Sequence, residues 1–183
     1  MGWLAGAAGV LFGLALALLA AFFVTKNKSF DRLAEWSFVA FAVLAIPTML
    51  TVSDRLANGG VVTQVATLVG IAGVAVVGLG ELGSTLRLID FQRVAPVVTA
   101  GFFGFLAWIG LVSVLVITGG GLPANLGWLG VVTIAVGVAI VLWIVREPGV
   151  IRGEREPRRG QMTAFFVPMI GIVAWMAWLG LSL

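Results

Sequence analysis

The sequence predicts an all-α fold: a polytopic integral membrane protein, a six-transmembrane-helix bundle with both termini outside (N-out, C-out). Three observations predict it. Of 183 residues, 61% are hydrophobic and 10% charged, and the mean hydropathy is +1.14. So few ionisable side chains cannot cover a soluble domain of this size. A helix needs about 20 apolar residues to cross roughly 30 Å of hydrocarbon, and the chain supplies such runs at 3–25, 36–53, 61–80, 96–118, 126–145 and 162–183. Finally, of eleven basic residues, Arg55 alone falls on one side of these runs. Short loops rich in Lys and Arg stay cytoplasmic, which fixes the expected orientation and makes 146–161 a cytoplasmic loop.

The first run, 3–25, is followed by its basic flank (Lys26, Lys28) rather than preceded by it, and it is long for a secretory signal, so a retained helix is expected. Before the second run, Ser29 is the expected N-cap, with Asp31 in the first turn facing the positive helix end. Pro47 lies inside that run, where a kink is expected. Asp54-Arg55 and Asn58-Gly59-Gly60 form the turn into the third run. The segment 81–93 then places Leu82, Leu86 and Ile89 on one face. It reads either as a helix lying along the membrane surface or as an extension of the third span into water. Pro96 is the expected first residue of the fourth helix. The uncharged turn GGGLPAN at 119–125 leads to the fifth run, and the loop REPGVIRGEREPRRGQ at 146–161 leads to the sixth.

Tryptophan placement agrees with the orientation. Trp3, Trp128, Trp175 and Trp178 fall near the outer interface and Trp36 and Trp143 near the inner one, where indoles prefer to sit. Trp108 is the exception, near the membrane centre. Gly2-Trp3-Leu4 and Gly127-Trp128-Leu129 both open outside-to-inside spans, as a duplicated hairpin or simply a shared outer-end preference would produce.

The composition excludes several chemistries. There is no Cys, His or Tyr, which removes thiolates, imidazole bases, His-ligated haem and most zinc or copper sites. No cofactor and no metal are expected. Both lysines lie in a loop, so no mid-helix Schiff base is available. Asp31, Asp54 and Asp90 are scattered over different loops, unlike a clustered metal site. Ionisable groups deep in a span are usually functional, and the nearest candidate is Glu81, on the inner shoulder of the third run, with Arg87 as its expected partner. An enzyme is not expected; it would need a carboxylate such as Glu81 turned into a cavity. The excess of basic charge sits beside spans, so lipid headgroups rather than nucleic acid are its expected partners, through Arg152, Arg155, Arg158 and Arg159.

Three neutral constellations remain. Ala5, Gly9, Gly13, Ala17 and Ala21 recur every fourth residue, a small-residue ridge that lets helices approach closely; it serves either the bundle or a second subunit. Gly101, Gly104, Phe105 and Trp108 offer a slot beside large aromatics, for a lipid tail or for a neighbouring helix. Thr48, Thr51, Gln64 and Thr67 lie near the outer ends of the second and third runs, where they form either a small polar pocket or structural glue.

LPANLGWLG at 122–130 resembles the turn-and-span openings of many small bacterial membrane proteins and transfers no function. Six spans in this length is also similar to the substrate-binding subunits of energy-coupling-factor vitamin transporters, but the outward termini expected here contradict that resemblance. The expected function is therefore non-catalytic: a multi-pass protein of a prokaryotic cytoplasmic membrane that associates with itself or with a membrane complex and binds a lipid or lipophilic ligand between helices. The alternative is a small transporter or channel for a neutral or weakly polar solute.

Overall fold

A computed structural model of the chain describes residues 2–56, 59–146 and 159–183. They form six helices: α1 (Gly2–Thr25), α2 (Lys28–Arg55), α3 (Gly60–Thr85), α4 (Phe91–Gly119), α5 (Ala124–Val145) and α6 (Arg159–Ser182). No strand occurs among the described residues. Five helices, α1 to α5, are long and apolar enough to cross a membrane, and α6 carries a shorter apolar stretch, Phe166–Ser182.

Each helix packs antiparallel on the next, and α6 returns to α1, so the six close into a ring. Glycine seams hold that ring. On α1, a Cβ at Gly9 would lie 2.9 Å from the Cβ of Met176 on α6, and one on Gly180 of α6 would lie 2.6 Å from the backbone nitrogen of Gly6. Gly73 of α3 faces the backbone of α4 at Gly101, Gly104 and Phe105, while Gly78 faces Ala42 of α2. Gly127 of α5 lies against the carbonyl of Ser113 on α4, and Gly171 of α6 against Thr133 of α5. Inside the ring, Phe12 is stacked on Phe102 at 6.1 Å and tilted against Phe41 at 5.0 Å. Trp108 and Trp175 meet edge to face at 5.6 Å. Such aromatic pairs contribute about 0.5–1.5 kcal/mol each beyond burial.

The helix ends differ from the expectations in informative ways. α2 starts at Lys28, and its cap is Asn27, whose side-chain oxygen accepts the Ser29 N–H at 3.0 Å; Ser29 is already helical. α3 runs without a break through Glu81 to Thr85, so no separate surface helix follows it. It ends in a Schellman turn: Arg87 N–H donates to Ser84 O and Leu88 N–H to Gly83 O, both at 2.9 Å. The left-handed position of that turn, usually glycine, is held by Arg87 at φ 57°. α1 ends similarly, with Lys26 at φ 57°. α4 begins at Phe91, which places Pro96 inside the helix rather than at its first residue. α6 begins at Arg159, inside the expected 146–161 loop; residues 147–158 lie outside the described residues.

Trp175 also departs from expectation. It is fully buried in the ring rather than at the interface, whereas Trp3, Trp36, Trp128, Trp143 and Trp178 are exposed. Gly2 and Gly127 play the same part at the starts of α1 and α5: each sits against a carbonyl of the preceding helix in the ring, Gly180 O and Ser113 O. That shared packing gives the glycine of each Gly-Trp-Leu the same structural part.

Two measurements check this account. Gly73→Ala pushes a methyl into the α4 backbone and is expected to destabilise the bundle by about 1–3 kcal/mol. Gly6→Ala, whose Cβ would meet nothing within 4 Å, is expected to change stability by less than about 1 kcal/mol. Thermal unfolding in detergent compares the two. Arg87→Gly relieves a left-handed residue and is expected to raise stability by about 1 kcal/mol in the same assay.

Candidate functional site

At the end of the ring bearing the α1–α2 and α3–α4 turns, the described residues leave the interior open. The cavity has a volume of about 640 Å³ and is lined from all six helices. Its position follows from the seams around α5. Toward the opposite end α5 is held tightly, with Gly127 against the Ser113 carbonyl and Gly130 against the Ser113 hydroxyl and the Trp175 indole. Toward this end a Cβ on Gly110 would come no nearer than 3.8 Å to Ile134, and one on Gly137 no nearer than 3.5 Å to Pro168. The loosened seams leave room inside, and Trp108, Trp175, Met49 and Met176 fill the other half of the ring.

The lining is almost wholly apolar: Phe12, Phe102, Leu106, Ile134, Met169 and Ile172 among others. Thr99 and Thr133 contribute hydroxyls, and Glu81 is the only charged residue among the described residues that line it. On α3, Gly78 faces α2 and Gly80 faces Val98 of α4. Val77 and Glu81, one turn apart, share the face between those seams, which points into the ring. Glu81 is 8% exposed. Its neighbour Glu35 on α2 receives Ser84 Oγ–H at 3.0 Å and lies 3.1 Å from Thr85 Oγ1. Glu81 receives no such donor at its carboxylate among the described residues. Thr85 Oγ1 instead lies 2.8 Å from its backbone carbonyl. Among the described residues, the charges that act on it are Glu35 and Asp31, both negative. Arg87, its expected partner, is an exposed turn residue.

No family model, curated protein or solved structure matches the chain. Function is therefore argued from this geometry.

The residues singled out from sequence are placed differently from one another. Gly101 and Gly104 are closed by α3: a Cβ on Gly101 would lie 2.7 Å from the Gly73 carbonyl, and one on Gly104 would lie 3.2 Å from that of Val69. Phe105 and Trp108 are buried in the ring beside them. The slot drawn from those four residues is thus filled by a neighbouring helix. The cavity uses a different face of α4, with Val98, Thr99, Phe102, Phe103, Leu106 and Gly110. Of the α1 ridge, Ala5 is buried, and Gly9 and Gly13 contact Met176 and Val173 of α6, whereas Ala17 is exposed and Ala21 half-buried. Thr48 and Thr51 donate back to the carbonyls of Leu44 and Pro47, each at 2.9 Å. Gln64 is exposed while Thr48 and Thr67 are buried, so the four do not share one lining. Arg152, Arg155 and Arg158 lie outside the described residues; Arg159 is the first residue of α6.

Away from the cavity, four buried side-chain polar atoms have no partner among the described residues: Thr67 Oγ1, Ser113 Oγ, Trp108 Nε1 and Trp175 Nε1. A buried hydroxyl without a partner costs about 1–3 kcal/mol. Ser113→Ala is therefore expected to stabilise the bundle by about 1 kcal/mol in thermal unfolding, and a loss of stability would instead place a bound water on that hydroxyl.

Proposed function

We propose that the chain is a non-catalytic, six-span protein of a prokaryotic cytoplasmic membrane, with both termini outside, that holds a lipophilic molecule inside its helical ring. The single observation that carries the reading is the apolar cavity of about 640 Å³, within the size range of sites that enclose drug-sized ligands. Orientation is supported by Lys26, Lys28, Arg32, Arg87, Arg93 and Arg146, all at the cavity end, against Arg55 at the other. A sixth crossing is supported by the backbone-close α1–α6 seam, which holds α6 alongside the five longer spans. On this reading the cavity lies toward the cytoplasmic side.

Association with further copies, or within a membrane complex, has less support than the sequence offered, because Gly9 and Gly13 pack on α6 of the same chain. The carrier or channel alternative is weakened in the same way. Its hydroxyls at Thr48 and Thr51 are directed to their own helix.

Chain purified in a maltoside detergent and examined by native mass spectrometry is expected to retain one lipophilic molecule. Gly110→Leu, whose side chain enters the cavity beside Ile134, is expected to reduce that occupancy roughly tenfold at nearly unchanged thermal stability. An extract holding only bulk lipid, identical for both proteins, sinks the proposal.

A further inference from the structure

We infer that the occupant of the cavity is a lipophilic cation, its apolar body between α1, α4, α5 and α6 and its positive head at Glu81. This deepens the reading just given and rests on it.

The argument starts from what Glu81 lacks. A carboxylate removed from water is costly unless a charge or several donors compensate it. Glu35, one helix away, receives the Ser84 hydroxyl and has Thr85 Oγ1 at 3.1 Å. Glu81, nine-tenths buried, has no such donor at its carboxylate, and no Lys or Arg lines the cavity, among the described residues. The residues that act on it through their charge, Glu35 and Asp31, add negative potential at the same end. A cationic ligand would supply the counter-charge that no described residue gives Glu81.

The remaining lining selects the rest of that ligand. With only Thr99 and Thr133 to offer hydroxyls, the cavity suits a body with few polar groups. Phe12, Phe102 and Phe103 contribute aromatic rings, whose faces attract cations. A lipophilic anion, including a phospholipid phosphate, meets the opposite condition: no cation among the described lining residues to receive it, and the carboxylates of Glu81, Glu35 and Asp31 at the same end. Both the volume and the sign of the charge therefore point to one class, an aromatic or aliphatic body carrying a quaternary or protonated amine or an equivalent onium centre.

Tetraphenylphosphonium and tetraphenylborate test this, because they share size and shape and differ in charge. N-phenyl-1-naphthylamine serves as the neutral apolar probe. Binding to the full chain in maltoside is read by equilibrium dialysis for the ions and by fluorescence for the neutral probe. The phosphonium is expected to bind at least about tenfold more tightly than the borate. Glu81→Gln is expected to remove that preference while leaving naphthylamine binding unchanged. Glu81→Asp, which keeps the charge on a shorter arm, is expected to restore part of it, and the wild-type comparison of the two ions stands even if a variant fails to fold. Equal binding of both ions by the wild type, or a cation preference that survives in Glu81→Gln, overturns the inference. If naphthylamine binds and is excluded by Gly110→Leu, that failure leaves the cavity reading intact. If naphthylamine does not bind at all, the cavity reading fails with it.

Discussion

Lipid tails are as apolar as leucine, so helices that meet in a bilayer gain nothing from hiding greasy surface from water. What holds them is van der Waals contact at short range and the backbone approach that small residues permit. This chain meets that constraint with glycine at nearly every turn of the ring. Gly2, Gly9 and Gly180 serve α1 and α6, Gly78 serves α2 and α3, Gly70, Gly73 and Gly101 serve α3 and α4, and Gly127 and Gly130 serve α4 and α5. The α1–α2 contact is made differently, by Phe12 against Phe38 and Phe41. Close approach at glycine sets the other interhelical distances, and the large side chains then fill what is left inside.

The cavity is the place where that filling stops. Gly110 and Gly137 stand beside α5 and α6 without backbone contact, so the ring is wider there, and the aromatic plug of Phe105, Trp108 and Trp175 ends before it. A carboxylate that reads as a boundary marker on an isolated helix becomes, in this setting, the one charge among the described residues that line an apolar chamber. Position within the ring, rather than position along the chain, gives Glu81 its chemistry.

The architecture was legible because length and apolarity are properties of single helices. The runs at 3–25 and 126–145 needed no knowledge of their neighbours to be read. Helix ends defined by side chains with uncommon backbone conformations were not. Arg87 closes α3 where glycine is the usual signal, so the sequence gives no stop there, and Glu81 looked terminal when it stands a full turn inside the helix. Nor does a small-residue pattern name its partner. Whether Gly101 and Gly104 face a lipid tail or a helix is not legible in the sequence, because the matching glycine, Gly73, lies nearly thirty residues away on another helix. The same limit hid Trp175, whose neighbours Trp108 and Gly130 belong to α4 and α5.

The seam between α1 and α6 carries a consequence for biogenesis. Every other seam joins consecutive helices, which a ribosome delivers to the membrane as successive hairpins. The glycine face of α1 has to wait for the last helix, through the synthesis of more than a hundred residues. During that interval the nascent chain is an open arc with a bare backbone strip at its leading edge. An insertion machinery that shelters the first helix until the last arrives would thus act on folding at the single step where the chain cannot pair neighbours as they emerge.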